Sequence, residues 1–166
     1  MRIVLASLAL ALLSGCGLSP MYAGGGSGMV AQSLAAIEVA PIEGRAGWLV
    51  RSALEERLGA AGQANARYRM DVRLDDQLEG LAVLRDDTIS RERRTLRARY
   101  QLVDLATGEI VLDATDGSDA GIDVVSSEYA VIAAEQTALQ NLSQDLAQRM
   151  VTRVALALRE QGEAPQ

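Results

Sequence analysis

Two segments of this 166-residue chain alternate apolar and polar side chains with a period of two, and that period constrains the fold more than any other feature. Tyr68, Met70, Val72 and Leu74 alternate with Arg69, Asp71, Arg73 and Asp75; Leu96, Ala98, Tyr100 and Leu102 alternate with Arg97, Arg99, Gln101 and Val103. Successive side chains of a strand point to opposite faces, so each segment predicts a strand buried on one side only. The intervening LEGLAVLRDDTISRERR keeps strand-like character on both sides of Asp86-Asp87, which predicts one long hairpin. If the even-numbered apolar residues of both arms share a face, opposed residue numbers must sum to an even value. The loop is then odd in length, or one arm carries a bulge.

The flanking segments supply a second layer. Leu34 to Ile42 is β-branched at Ile37 and Val39 and meets Pro41, predicting a first strand at a sheet edge or strand end. GRAGWLVRSALEERLGAAG places Trp48 or Leu49, then Ala53, Leu54, Leu58 and Ala61, at helical spacing, with Gly59 and Gly62 as a stop. Thr107-Gly108 predicts a tight turn into a strand around Glu109 to Ala114, followed by a polar, glycine-bearing stretch from Asp116 to Asp123. A long helix starts at Ser126 or Ser127, with Ser127 as its cap and a stripe from Tyr129 and Ile132 through Ala133, Leu139, Leu142, Leu146, Met150 and Val154 to Leu158. Gly162 and Pro165 end it. The expected fold class is α+β: a two-layer sandwich of two helices packed on one face of a four-stranded, largely antiparallel sheet, in the order β-α-β-β-β-α.

The amino end reads as an export and anchoring device. Arg2 followed by about ten apolar residues has the pattern of a secretory signal and is shorter than the roughly 20 residues a membrane span needs. Leu13-Ser14-Gly15-Cys16 resembles a bacterial lipobox, so residues 1–15 are expected to be cleaved and Cys16 to carry a diacylglycerol and an N-acyl chain. Several acyl chains hold a protein on a bilayer, at about 0.8 kcal/mol per buried methylene, without a spanning helix. Gly17 in place of an aspartate resembles the outer-membrane sorting pattern. Residues 16–33, rich in glycine, are expected as a flexible tether, 34–162 as the folded domain and 163–166 as a disordered tail.

Charge and composition bound the chemistry. Net charge is −6, which makes nucleic acid a poor partner, and the chain has no histidine and one cysteine. Cys-His and Ser-His-Asp catalysis are excluded, and zinc loses its two best ligand types, so no catalytic residue, no metal site and no cofactor beyond the lipid on Cys16 is expected. The expectation is a protein that is not an enzyme.

The chain also resembles the LptE family of lipopolysaccharide-assembly lipoproteins. The resemblance rests on Cys16-Gly17 with Pro20 and Tyr22, on IEGRAGWLVRSALEERL with Arg45, Gly47 and Leu54, on YRMDVRL, on ISRERRTLRARYQLVDLATGEIV with Ser90-Arg91 and Tyr100, and on SEYAVIAAEQTALQNLSQDLAQRMVTRV. It implies two helices on a four-stranded sheet, seated in the lumen of the LptD outer-membrane β-barrel as plug and assembly partner. It also implies contact with lipopolysaccharide and a location at the outer membrane, lipid-anchored and facing the periplasm and barrel lumen. An alternative is an auxiliary lipoprotein of an ABC-type phospholipid transport system.

Candidate contacts follow from the charges of the hairpin. Arg67, Arg69, Arg73, Arg85, Arg91, Arg93, Arg94, Arg97 and Arg99 crowd it, and a planar guanidinium grips phosphate through two hydrogen bonds. Arg97 and Arg99 are expected to pair with Asp71 and Asp75 across the hairpin, with lipopolysaccharide or barrel contact as the competing reading. Arg91, Arg93 and Arg94 lie nearer the tip, where Glu92 alone offsets them, and are the stronger contact candidates. Arg45 is a structural or interface candidate. Trp48 is expected in the core, with an interface anchor as the alternative.

Overall fold

The computed structural model describes residues 29–59, 65–83 and 89–163. The signal segment, Cys16 and Arg85 lie outside the described residues, as do residues 164–166 of the expected tail. In chain order the elements are helix α1 (Met29–Ala35), strand β1 (Ile37–Val39), helix α2 (Gly44–Leu58), strands β2 (Tyr68–Val83), β3 (Ile89–Asp104) and β4 (Ile110–Asp123), and helix α3 (Glu128–Glu163). They form one sheet of order β1-β2-β3-β4, with β1 parallel to β2 and the other pairs antiparallel. The expected α+β two-layer sandwich is the observed one.

The parity argument holds along the hairpin. Tyr68 faces Asp104, Val72 faces Tyr100 and Gly80 faces Glu92, each pair with an even sum. Register then shifts between Gly80, Ala82 and Val83, so the arm also carries an irregularity near the tip. Even-numbered residues accordingly share the helix-covered face: Tyr68, Met70, Leu96, Ala98, Tyr100 and Leu102 are buried. Sixteen-residue arms extend about 50 Å at ~3.3 Å per residue. The 36 residues of α3 extend about as far at ~1.5 Å each. One helix therefore matches the whole hairpin.

Helix α2 packs beside α3, and the core lies between this helical layer and the sheet. From α2 it takes Val50, Ala53, Leu54 and Leu58; from α3, Leu139, Leu142, Leu146, Ala147, Met150, Val151, Val154, Ala155 and Leu158. Gly59 ends α2 in the left-handed region at φ 67, donating its N–H to the Glu55 carbonyl.

Several expectations are corrected. The first strand shrinks to Ile37–Val39, because residues 29–35, read as tether and strand start, form α1 and bury Leu34 from a helix. Trp48 is 66% exposed and outside the core. Gly47 and Val50 take the inward positions of that turn, and Gly47 packs so closely on Ile42 that an added Cβ would lie 2.5 Å from its carbonyl oxygen. The last strand, expected around Glu109 to Ala114, runs on through the polar stretch 116–123, since β3 offers it a ladder up to Asp123. Gly162 lies within α3 and does not end it. Tyr129 and Ile132 continue the α3 stripe in sequence yet are exposed, Tyr129 at 89%. The continuous core ends near Leu96 and Leu139; nearer the tip Ile122 is still buried, while Leu78 and Leu81 are exposed.

Replacing Gly47 by alanine is expected to cost about 2 kcal/mol or more, because the new methyl meets backbone that cannot yield. Gly162→Ala, with nothing within 4 Å of its Cβ, should be neutral or stabilise by up to about 1 kcal/mol. Denaturant unfolding of both variants checks the pair.

Candidate functional site

With one sheet face covered by helices, the odd-numbered residues of β2, β3 and β4 form the open face. Alternation built it, and the register arranges its charges in rows across three strands: Asp71, Gln101, Asp113; Arg73, Arg99, Thr115; Asp75, Arg97, Gly117; Glu79, Arg93, Gly121. Among the described residues, Arg69 pairs with Asp71 at 2.9 Å, Arg99 with Asp113 at 3.1 Å, Arg91 with Asp123 at 3.3 Å and Arg93 with Asp119 at 4.0 Å. Hydrogen bonds from Arg99 and Gln101 hold the Asp113 carboxyl below the usual carboxylate range, and the Asp71 hydrogen bond raises the Arg69 guanidinium.

The expected partners of Arg97 and Arg99 were therefore the wrong ones. Asp71 is taken by Arg69 two residues away on its own strand, and Asp75 accepts from the Gln77 amide. Arg99 turns instead to β4, whose carboxylates a reading of the hairpin alone leaves out. Arg97 stands opposite Asp75 in register but has no ion pair within 4.0 Å among the described residues; its stem lies over Gly117, whose missing Cβ would sit 3.1 Å from the Arg97 Cγ.

The tip arginines divide by parity. Arg91 and Arg93 project from the open face, each more than half exposed. Arg94 projects into the helix-covered side, where its forked guanidinium bonds both oxygens of Asp76 at 2.8 and 2.7 Å and also donates to the Glu135 carbonyl of α3. The hydrogen bond to Asp76 raises the Arg94 guanidinium above its ordinary value, with burial opposing. Arg94 ties β2, β3 and α3 together and does not belong to the exposed patch. Glu92 shares that inner side, so it offsets neither Arg91 nor Arg93, and its Oε2 is buried with no hydrogen-bond partner among the described residues.

A second inner network lies lower down. The Tyr100 hydroxyl donates to Asp116 at 2.6 Å, and Asp116 also receives Arg153 of α3 at 2.9 Å. Burial first, then the Asp116 hydrogen bond, pushes the Tyr100 phenol well above its ordinary value, so it stays a donor. Asp104 ends β3 as a turn anchor: its carboxylate accepts the Ala106 and Thr107 N–H groups and pairs with Arg67 at 3.5 Å. Sequence reasoning missed Asp76, Asp104 and Asp116. An even-numbered acid in an apolar alternation was the signal available for all three.

Arg45 and Trp48 lie exposed on the first turns of α2, with no ion pair to Arg45 among the described residues. The described residues contain no cluster of three acidic or thiol groups suited to a metal, and no helix among them is long and apolar enough to cross a membrane.

Fold and site together define a class: an α+β sandwich that presents one flat, charge-striped sheet face. Among solved structures it is similar to a chain from Caulobacter crescentus CB15 described as a lipoprotein, at 25% identity, covering 82% of this chain and 98% of that one with a TM-score of 0.68. It also shares its fold with a minor lipoprotein of Acinetobacter baumannii (14% identity, 72% and 90% covered, TM-score 0.59). The rare lipoprotein B of Shewanella oneidensis has the fold as well (10% identity, 76% and 98% covered, TM-score 0.56). A comparison with functionally curated proteins finds no significant match. The profile of the LptE family, described as lipopolysaccharide-assembly, matches residues 34–154, and the chain belongs to that family.

Arg94→Ala is expected to lower stability by about 2 kcal/mol, since it strips a forked charged pair and leaves Asp76 half-buried and alone; thermal unfolding reads the loss. Asp104 gives a pH signature. Its carboxyl is lowered, by the Ala106 N–H first, so its stabilisation is complete above the ordinary carboxylate pKa of about 4 and disappears as pH falls through the lower folded value. Asp104→Asn should flatten the fall of stability with acid in that window, measured by urea titration at stepped pH.

Proposed function

We propose that this protein is an outer-membrane lipoprotein, held by acyl chains on Cys16, that binds and plugs an LptD-type β-barrel and assists assembly of lipopolysaccharide at the cell surface. Family membership over residues 34–154 carries the reading. The open face supports it physically. A sheet with alternating guanidinium and carboxylate rows suits a polar, water-lined barrel interior, where an apolar face would not. Arg91 and Arg93, exposed near the hairpin tip, are the side chains best placed for phosphate-bearing lipid, and Arg45 with Trp48 offers a separate anchor of the residue types that dominate interfaces. The role is one of binding and assembly, with no catalytic step assigned to any residue.

The test is recovery of the native, acylated protein from envelopes. It should co-purify one-to-one with a large β-barrel, and its depletion should strip lipopolysaccharide from the surface. Recovery with components of a phospholipid transporter and no barrel would overturn the reading. Arg91→Ala with Arg93→Ala should weaken lipopolysaccharide binding while leaving the melting temperature within the range of ordinary surface changes, about ±0.5 kcal/mol; unchanged binding would remove the tip from the contact.

A further inference from the structure

The two edges of the sheet are built differently. β1 is three residues long and is followed within two residues by Pro41, a blunt edge that offers little to a neighbouring strand. β4 runs 14 residues, holds no proline, lysine or arginine, and keeps unbroken register with β3 from Asp123 to Leu112. It is last in the sheet order, so one side of its backbone meets none of the described strands. A long, regular edge of this kind is a template for another strand, and natural sheets ordinarily blunt it.

Beside that edge lies a groove of about 690 Å³ between β4 and the flank of α3, with Leu112, Leu156 and Ala157 as its apolar part, polar α3 side chains around them, and Asp116 and Arg153 paired across it. Leu156 is exposed there. An added strand would send alternate side chains to the two faces. Those on the helix side would meet Leu112, Leu156 and Ala157. Those on the open side would meet Asp113, Asp119 and Asp123, whose arginine partners all come from the neighbouring strand β3, away from the edge.

From this geometry we infer that β4 takes up an extended polypeptide segment by strand addition, and that the segment alternates apolar residues with arginine or lysine. Charge complementarity selects that occupant. Every ionisable side chain of β4 is an aspartate, so a second copy pairing edge to edge would set one aspartate strand against another, and like charges opposed across strands destabilise. An incoming basic residue would instead give each of these carboxylates a second cation, on the side away from the β3 arginine that already reaches it. The inference goes beyond the barrel reading and does not depend on it.

Amide hydrogen exchange of the full-length protein in detergent tests it, with short blocked peptides of alternating valine and arginine, or of valine and glutamate, as probes. The arginine peptide should slow exchange across 110–123 and leave 37–39 unchanged. The glutamate peptide should bind more weakly by about tenfold, the factor that a few cross-strand ion pairs supply. Asp113→Asn with Asp119→Asn should erase most of that preference. The inference is overturned if neither peptide protects β4, if both protect it equally, or if β4 becomes protected without peptide as concentration rises, which would identify a second copy as the occupant. No barrel is present in this experiment, so failure of the barrel reading leaves its result intact.

Discussion

The unslipped pairing of β2 with β3 is the constraint on which the rest of the molecule depends. From Tyr68 opposite Asp104 to Gly80 opposite Glu92, every opposed pair shares parity, and a slip of one residue would carry Tyr68, Met70, Val72 and Leu74 to the wrong face. Because the pairing holds over two 16-residue arms, it creates an apolar strip long enough to require a helix the length of α3. β4 and α2 widen the two layers. Burial of residues such as Tyr100, Met70, Leu146 and Met150 follows from that register.

The same parity sorts the arginines into two jobs. Those at odd positions, Arg69, Arg73, Arg91, Arg93, Arg97 and Arg99, stand in water, where ion pairs are screened and contribute little to stability. Their value lies in the pattern they present. Arg94, one residue out of step, enters a drier environment where its fork finds Asp76 and the Glu135 carbonyl and fastens the long helix to the hairpin. Asp116 repeats the device lower down, joining Tyr100 of β3 and Arg153 of α3. Inner charges hold the layers together, and outer charges make a surface.

That division accords with membership of a lipopolysaccharide-assembly family. The open face stays exposed and polar, while Arg94 and Asp116 on the other face bond the sheet to α3. The apolar side chains Leu78, Leu81, Tyr129 and Ile132 are left exposed toward the hairpin tip.

Periodicity alone determined the long hairpin, the parity of its register, the long closing helix and the α+β sandwich, because alternation and helical spacing are local patterns enforced by one burial boundary. It also marked the arginine-rich hairpin as the charged part of the molecule. Only tertiary structure decided which acid each arginine meets, since Arg99 had candidates on two strands and the β4 carboxylate prevailed. It also decided that Trp48 faces water while Gly47 packs on Ile42, that the polar run 116–123 is a strand, and that Arg94 leaves the tip patch. Each of these depends on what a neighbouring element offers across space, and a residue's spacing along the chain carries no record of that.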